Sequence, residues 1–498
     1  MAEVHEQKAQ GDTLNPDLKI AQELANSEDW DRAYLITDRY LQENPNAVDW
    51  LMLMVYIMLG TGKPVIAYSL AKRCLDLSPK DPCMYLNFGM AANELWKPKE
   101  AERMYRKGIR ISKSPEQLSK FLINLTGVYI DNGRFDEAKA LCLEAIELNQ
   151  ETVKGYANLG FCQMAMGEWL EGWKNYRQCI GTEWRPKTQY ANEPEWDGVG
   201  RGNIVLYAEQ GLGDMICFAS MIPDMQKWCD ENDSTLIVDI DVRLHSLFER
   251  SFHGTVFYPT AGSADLHWKT EHHKVDYSLP MGQIGEYFRT KESDFPKTAY
   301  LTPDIDREYM WRSLFKSKKK PAIGIAWTGG VPKTGAHLKR LKLEQLLPLF
   351  ESIDAHWVSL QYRSAGREID KFKALHDVDL VEYPHATLVK EYDATAAMVS
   401  ALDAVVCVPT SVAHLGGALG VRTITMAGPA KCWKYNAGIP FHPCTIIDHS
   451  TDWKTTIKKT ASNLEDLCES SSVTTQDSPL PITSVNTRSS KMPQSLSA

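Results

Sequence analysis

Five small residues recur along the first third of the chain at near-constant spacing. Ala33, Ala67, Ala101, Ala138 and Gly172 are separated by 34, 34, 37 and 34 residues. A second compact series follows seven positions later at Cys74, Gly108, Ala145 and Cys179, with Tyr40 the bulky exception. Pro45 and Pro79, also 34 apart, each close an apolar-periodic segment. Breaks at Gly60-Thr61-Gly62, Asn132-Gly133 and Met166-Gly167 divide the periods into helical stretches. A fixed period of this length predicts stacked helix pairs: a small residue is needed where two helices cross closely, and proline cannot continue a helix. The 37-residue interval fits a longer turn around Ser114-Pro115.

This period of two amphipathic helices resembles the tetratricopeptide repeat. The fourth and fifth units carry its fullest marks, Asn124-Leu125-Thr126 to Tyr129 and Asn158-Leu159-Gly160. The resemblance implies about five repeats over residues 14–185, after a disordered stretch at 1–13. Composition narrows the function classes. The chain has 498 residues, 43% hydrophobic and 24% charged, so it is globular rather than disordered. A net charge of −9 argues against a nucleic-acid binder working through a general basic field. No apolar run approaches a membrane span, and Met1 to Gly11 has no signal-peptide core. Eleven cysteines without a Cys-x-x-Cys pair read as buried thiols in a reducing cytosol, so a cytoplasmic protein is expected.

Residues 186–202 are rich in Pro, Gly and Asn and are flanked by Trp184 and Trp196, which predicts an ordered connector. From Asn203 short apolar runs alternate with helices. Candidate strands are Ile204–Ala208, Leu236–Ile240, Val275–Leu279, Ile323–Trp327, Trp357–Gln361, Val378–Tyr383, Ala404–Val408 and Thr423–Met426. Such alternation predicts parallel sheets with crossover helices. The Lys316–Lys320 run with Pro321 splits them into two Rossmann-like halves, 203–315 and 316–455. From Ser470 to Ala498, 13 of 29 residues are Ser or Thr, and 456–498 is expected to be a disordered tail.

Two segments could carry chemistry. In Glu209-Gln210-Gly211-Leu212-Gly213-Asp214, glycines after a strand let the backbone turn into a helix and leave amides open to an anion or sugar. Asp214 falls in the first turn, where it either does chemistry or caps the helix. In the second, Thr410 and Ser411 follow a buried strand and can cap a helix whose free amides face a diphosphate, with His414 in the first turn. Asp239-Ile240-Asp241 reads like a metal-binding Asp-x-Asp but lies at a strand edge, and no metal is expected.

Together with Trp327-Thr328-Gly329, Ser359-Leu360-Gln361, Ala394-Thr395-Ala396 and the run from Thr410 to Gly420, these segments resemble tetratricopeptide-repeat proteins fused to a glycosyltransferase domain. That domain is related to the heptosyltransferases of glycosyltransferase family nine and has the two-Rossmann GT-B architecture. Glu171-Gly172-Trp173 to Tyr176 and Trp196-Asp197-Gly198 match the group's junction. More remotely, the layout is similar to O-linked N-acetylglucosamine transferases. The resemblance implies inverting, metal-independent transfer of a sugar from a nucleotide-sugar donor, without a cofactor. Asp214 would be the base, Gly211 and Gly213 would shape its turn, and Trp327, Gly329, Gln361, Thr410, Ser411 and His414 would bind the donor. Arg340 (or Lys339, less so Lys333) would add positive charge to the departing diphosphate. The expected acceptor is a protein Ser or Thr held by the repeats, with a surface glycan as rival, and the enzyme could be a homodimer. Pro409 stands where the family has an acidic residue, which supports a second reading: a non-catalytic repeat scaffold with a degenerate transferase domain.

Overall fold

A computed structural model describes residues 15–182, 185–187, 190, 192–263, 266–271, 274–330, 339–428, 433–435, 441–442, 445–449 and 452–472. The expected disordered N-terminus at 1–13, Trp184, Lys333 and the tail beyond 472 fall outside them.

Ten helices form five antiparallel pairs: α1 (Pro16–Asn26) with α2 (Trp30–Glu43), α3 (Val48–Gly60) with α4 (Pro64–Leu77), α5 (Pro82–Glu94) with α6 (Pro98–Ile111), α7 (Pro115–Asp131) with α8 (Phe135–Leu148), and α9 (Val153–Ala165) with α10 (Trp169–Arg177). The chain therefore carries the expected helical repeats. Their starts are encoded locally: Asn15, Asp29, Asp81, Ser114 and Thr152 accept hydrogen bonds from first-turn amides, and prolines open α1, α4, α5, α6 and α7. Ala33, Ala67, Ala101 and Ala138 are fully buried at the crossings. The last pair approaches closest. A Cβ on Gly160 would lie 2.8 Å from the Gly172 carbonyl oxygen and 2.9 Å from the Tyr176 amide.

The α/β region contains two wholly parallel sheets. The first comprises β1 (Asn203–Tyr207), β2 (Thr235–Asp239), β3 (Val256–Tyr258) and β4 (Tyr277–Pro280), in the order β3-β2-β1-β4. Its helices are α11 (Leu212–Ala219), α12 (Ile222–Glu231), α13 (His245–Ser251) and the short α14 (Trp268–Glu271) and α15 (Gly285–Phe288). After α16 (Ile305–Ser317), the second sheet comprises β5 (Ala322–Ala326), β6 (His356–Ser359), β7 (Leu380–Glu382), β8 (Ala404–Cys407), β9 (Thr423–Gly428) and β10 (Thr445–His449). Its order is β10-β9-β8-β5-β6-β7, with α17 (Leu347–Ser352), α18 (Gly366–Lys373), α19 (Pro384–Thr387), α20 (Tyr392–Ser400), α21 (Ser411–Ala418) and α22 (Trp453–Ser472). All eight expected strands are present; β3 and β10 were not anticipated. The strand order reverses beside β1 in the first sheet and between β5 and β8 in the second. Parallel sheets bind ligands outside the carboxyl ends of strands at such reversals.

Two expected boundaries shift. Helix α16 packs on α20 of the second half, where Arg312 donates to the Ser400 carbonyl at 2.9 Å and Trp311 meets Tyr383 edge-on. The second half therefore begins before the Lys316–Lys320 run, which caps a helix rather than separating domains. Residues 453–472 are helical, not a disordered tail: Ile457, Ala461 and Leu464 form a buried stripe of α22 against α17 and β9. A stripe of only three apolar positions among Lys, Thr and Ser is too sparse for composition to reveal.

The halves are clamped by Arg250 of α13, which grips the buried Asp393 of α20 bidentately at 2.6 and 2.7 Å. The repeats join them through α10, where the Trp173 indole donates to the Arg289 carbonyl at 3.0 Å. Beside it, Arg185 and Glu209 form an ion pair at 3.0 Å with both side chains 1% exposed. No disulfide links the eight cysteines whose side chains are described, and all but Cys83 are buried. No helix among the described residues is long and apolar enough to cross a membrane.

Because the Gly160 contact is backbone on both sides, it cannot relax by rotating a side chain. Gly160→Ala gains up to about 1 kcal/mol of helix propensity against an overpacking cost of about 1–3 kcal/mol. The expected result is net destabilisation, read as a lower urea midpoint at unchanged slope.

Candidate active site between the two halves

Strand β1 delivers the chain to Gly211, whose extended backbone (φ −73°, ψ 167°) caps α11 and puts Asp214 in the first turn. Upstream, the Glu209 carboxylate turns inward and accepts from Arg185, from Gln210 at 3.0 Å and from the Gly282 amide at 3.3 Å. The motif's first residue is thus an anchor, and only its second half faces the crevice. Strand β8 ends at the N-terminus of α21, where the Thr410 hydroxyl accepts from the Val412 amide at 3.1 Å and Ser411 Oγ accepts from Tyr392 at 2.7 Å.

The two helix N-termini meet. A Cβ on Gly213 would lie 3.2 Å from both Ser411 Cα and His414 Cδ2. A side chain here would press on both neighbours, so the close approach favours glycine. Gly329 is tighter still: its Cβ would lie 2.9 Å from the Pro409 carbonyl oxygen. Gly211, Gly213, Asp214, Gly329, Thr410, Ser411 and His414 thus come together. Gln361 lies beyond β6, donating to Thr328 at 2.8 Å while its buried Oε1 has no partner among the described residues.

The remaining expected residues are arranged differently. The Trp327 ring is fully buried in the core of the second half and so cannot stack on a ligand. Arg340 is exposed and has no partner among the described residues. Half-buried Lys339 faces the repeats, where burial pushes the Asp131 carboxyl up to about 7 despite a hydrogen bond from Asn93 and the charge of Lys339. His414 is buried with both ring nitrogens engaged, Nδ1 to His442 Nε2 at 2.9 Å and Nε2 to the Tyr435 hydroxyl at 2.8 Å. Burial first, and Lys434 second, lower its pKa to about 3. The imidazole is therefore neutral here, with both ring nitrogens already bonded to side chains.

The cation at the crossing is instead Lys434, which pairs with Asp214. Its side chain is 10% exposed against 29% for Asp214, so the carboxylate is the more open partner. Lys434 stands on a single 3-10 turn, Trp433–Tyr435, that packs on α9. Trp433 contacts Trp173, Tyr176 and Phe218 with centroids 5.8, 6.3 and 6.5 Å away. The last repeat thus holds the lysine in place. A basic residue between two aromatics was the available signal, but it follows no strand-to-helix motif and carries no period. Asp239, by contrast, is fully buried and satisfied by Tyr190 at 2.6 Å and by the Thr260 hydroxyl and amide at 2.7 and 3.0 Å. Asp241 pairs with Arg243 at 2.7 Å. The two carboxylates serve the fold.

Gly213→Val would force side-chain atoms between the helix N-termini. It should cost about 1–3 kcal/mol, read as a lowered thermal midpoint, with Gly213→Ala intermediate.

The tetratricopeptide repeat family model matches residues 121–154, within the fourth and fifth helix pairs. Protein FlbA of Caulobacter vibrioides (strain ATCC 19089 / CIP 103742 / CB 15) is 26% identical over 374 residues, a match covering 71% of this chain and 62% of that protein. The chain thus spans less than two thirds of that relative's length. Among solved structures, a thermophilic tetratricopeptide-repeat protein of Thermus thermophilus is 19% identical with a TM-score of 0.31, covering 35% of this chain and 91% of the other. A glycosyl transferase family 9 protein of Veillonella parvula DSM 2008 is 11% identical with a TM-score of 0.40, covering 57% of this chain and 98% of the other.

Proposed function

We propose that the α/β region is an inverting glycosyltransferase that moves a sugar from a nucleotide-sugar donor to a hydroxyl presented from the repeat side. The observation that carries this reading is the Asp214–Lys434 pair at the meeting of the α11 and α21 N-termini. It adds to the motif resemblance and to the strand-order reversals that open both sheets toward this crevice.

In this reading the Asp214 carboxylate takes the proton of the acceptor hydroxyl as its oxygen bonds to the anomeric carbon. The anomeric carbon–oxygen bond to the diphosphate breaks, and its electron pair leaves with the nucleoside diphosphate. Lys434 and the positive end of the α21 dipole meet that negative charge, a role that needs no metal. Pairing with Asp214 keeps Lys434 at the reacting centre until the phosphate oxygens compete for it. Buried Glu209, fixed by Arg185, holds the turn that aims Asp214. On the repeats, Asp131 lies beside Asn93 and Glu94 and within reach of the charge of Lys339.

The test separates donor binding from turnover. A thermal-shift panel of UDP, GDP, ADP and CMP is expected to single out one nucleotide. Asp214→Asn should leave that shift nearly intact and lower transfer by about 10²–10⁴-fold. Lys434→Met should instead weaken the nucleotide by about tenfold or more, because a hydrogen bond to a charged group contributes about 1.5–3 kcal/mol. If none of the four nucleotides stabilises the chain, the scaffold reading takes over.

A further inference from the structure

Behind the Asp214–Lys434 pair, three metal-binding side chains converge from three separate segments. Cys217 lies on α11 one turn after Asp214, His414 lies on α21, and His442 lies beyond the turn that carries Lys434. One sulfur and two nitrogens from these residues all fall within 4.8 Å of one another. We propose that Cys217, His414 and His442 bind a zinc ion that pins the two helix N-termini together. No step of the sugar transfer proposed above uses the ion, and the site stands whether or not that reading does.

The geometry carries this in two ways. The facing nitrogens, His414 Nδ1 and His442 Nε2, are 2.9 Å apart. Two zinc–nitrogen bonds of about 2.0–2.1 Å at a tetrahedral angle need a separation of about 3.3 Å. The two nitrogens thus part by a few tenths of an ångström on coordination, and the sulfur, within 4.8 Å of both, closes to the separation of about 3.6 Å that a tetrahedral site needs. The outward nitrogens are already in the arrangement that metal-bound histidines adopt. His414 Nε2 lies 2.8 Å from the Tyr435 hydroxyl, and His442 Nδ1 lies 3.4 Å from the Tyr300 hydroxyl. Such outer hydrogen bonds fix the tautomer and the ring orientation of a ligand.

The donor set points to zinc. A thiolate with two imidazoles is too soft for magnesium or calcium and suits a four-coordinate d¹⁰ ion, with water in the fourth position. Binding balances simply. The Cys217 thiol loses its proton to solvent, and the hydrogen between the two rings moves to an outward nitrogen, where a tyrosine oxygen accepts it. No electron is transferred.

Metal content of the full chain, expressed with zinc and freed of loose ions by gel filtration, tests the proposal without any substrate. About one zinc per chain is expected, and cobalt(II) reconstitution should give a thiolate-to-cobalt charge-transfer band. Cys217→Ser and His442→Gln should each remove the zinc, and Cys217→Ser should abolish the band. Tyr435→Phe, which keeps all three donors and the fold, should weaken zinc affinity by about 10–100-fold. A wild-type chain that holds no zinc and gives no thiolate band after reconstitution overturns the proposal, as does Cys217→Ser retaining wild-type zinc.

Discussion

Trp173 is the side chain on which the rest of the molecule depends. It lies on the last helix of the repeats with none of its surface exposed, and its indole donates to the Arg289 carbonyl of the first half. Its ring leaves no room for a side chain at position 285, where a Cβ would lie 2.3 Å away. The other neighbours are Phe218 of α11 and Trp433 of the lysine-bearing turn. One buried ring therefore touches the repeats, the helix that carries Asp214 and the segment that carries Lys434. Burying an aromatic of this size removes roughly 150–250 Å² from water, and it does so where three parts of the chain must agree. The repeats are consequently packed into one body with the α/β region rather than tethered to it.

Charge is distributed around that hub by burial. Arg185 and Glu209 are withdrawn from water together, so each offsets the desolvation cost of the other only while both are present. The pair sits behind the turn and sets its position. Asp214 and Lys434 form the equivalent pair at the mouth, more exposed and thus open to exchange with a ligand. Between them His414 is stripped of water and held neutral. Burial thus divides the positive charge in this region: Arg185 holds structure, Lys434 faces the crevice, and the imidazole carries none.

Local rules made much of this legible. The 34-residue period placed small residues at helix crossings, because only a missing side chain lets two helices approach so closely. Short apolar runs marked eight of the ten described strands, since a strand buried on both faces needs uninterrupted hydrophobic residues. Thr410 was readable as a cap and Gly211 as a turn, because the chemistry of each is satisfied within a few residues. Helix α22 was not, because Ile457, Ala461 and Leu464 acquire their meaning only from the surface of α17 and β9 that they cover.

The sequence by itself determined the architecture, five helix pairs followed by two parallel sheets, and the neighbourhood in which Asp214, Thr410 and His414 would lie. It could not determine how charge is shared there. A histidine in the first turn of a helix can be placed beside a crevice from sequence, but only the packing of Tyr435 and His442 shows that both its nitrogens are engaged. Lys434 lies 220 residues from Asp214 along the chain, and nothing local marks it as a partner. Local interactions act over a few residues and leave a trace in the sequence. Desolvation and long-range pairing depend on what the completed fold brings alongside, and these decided the site.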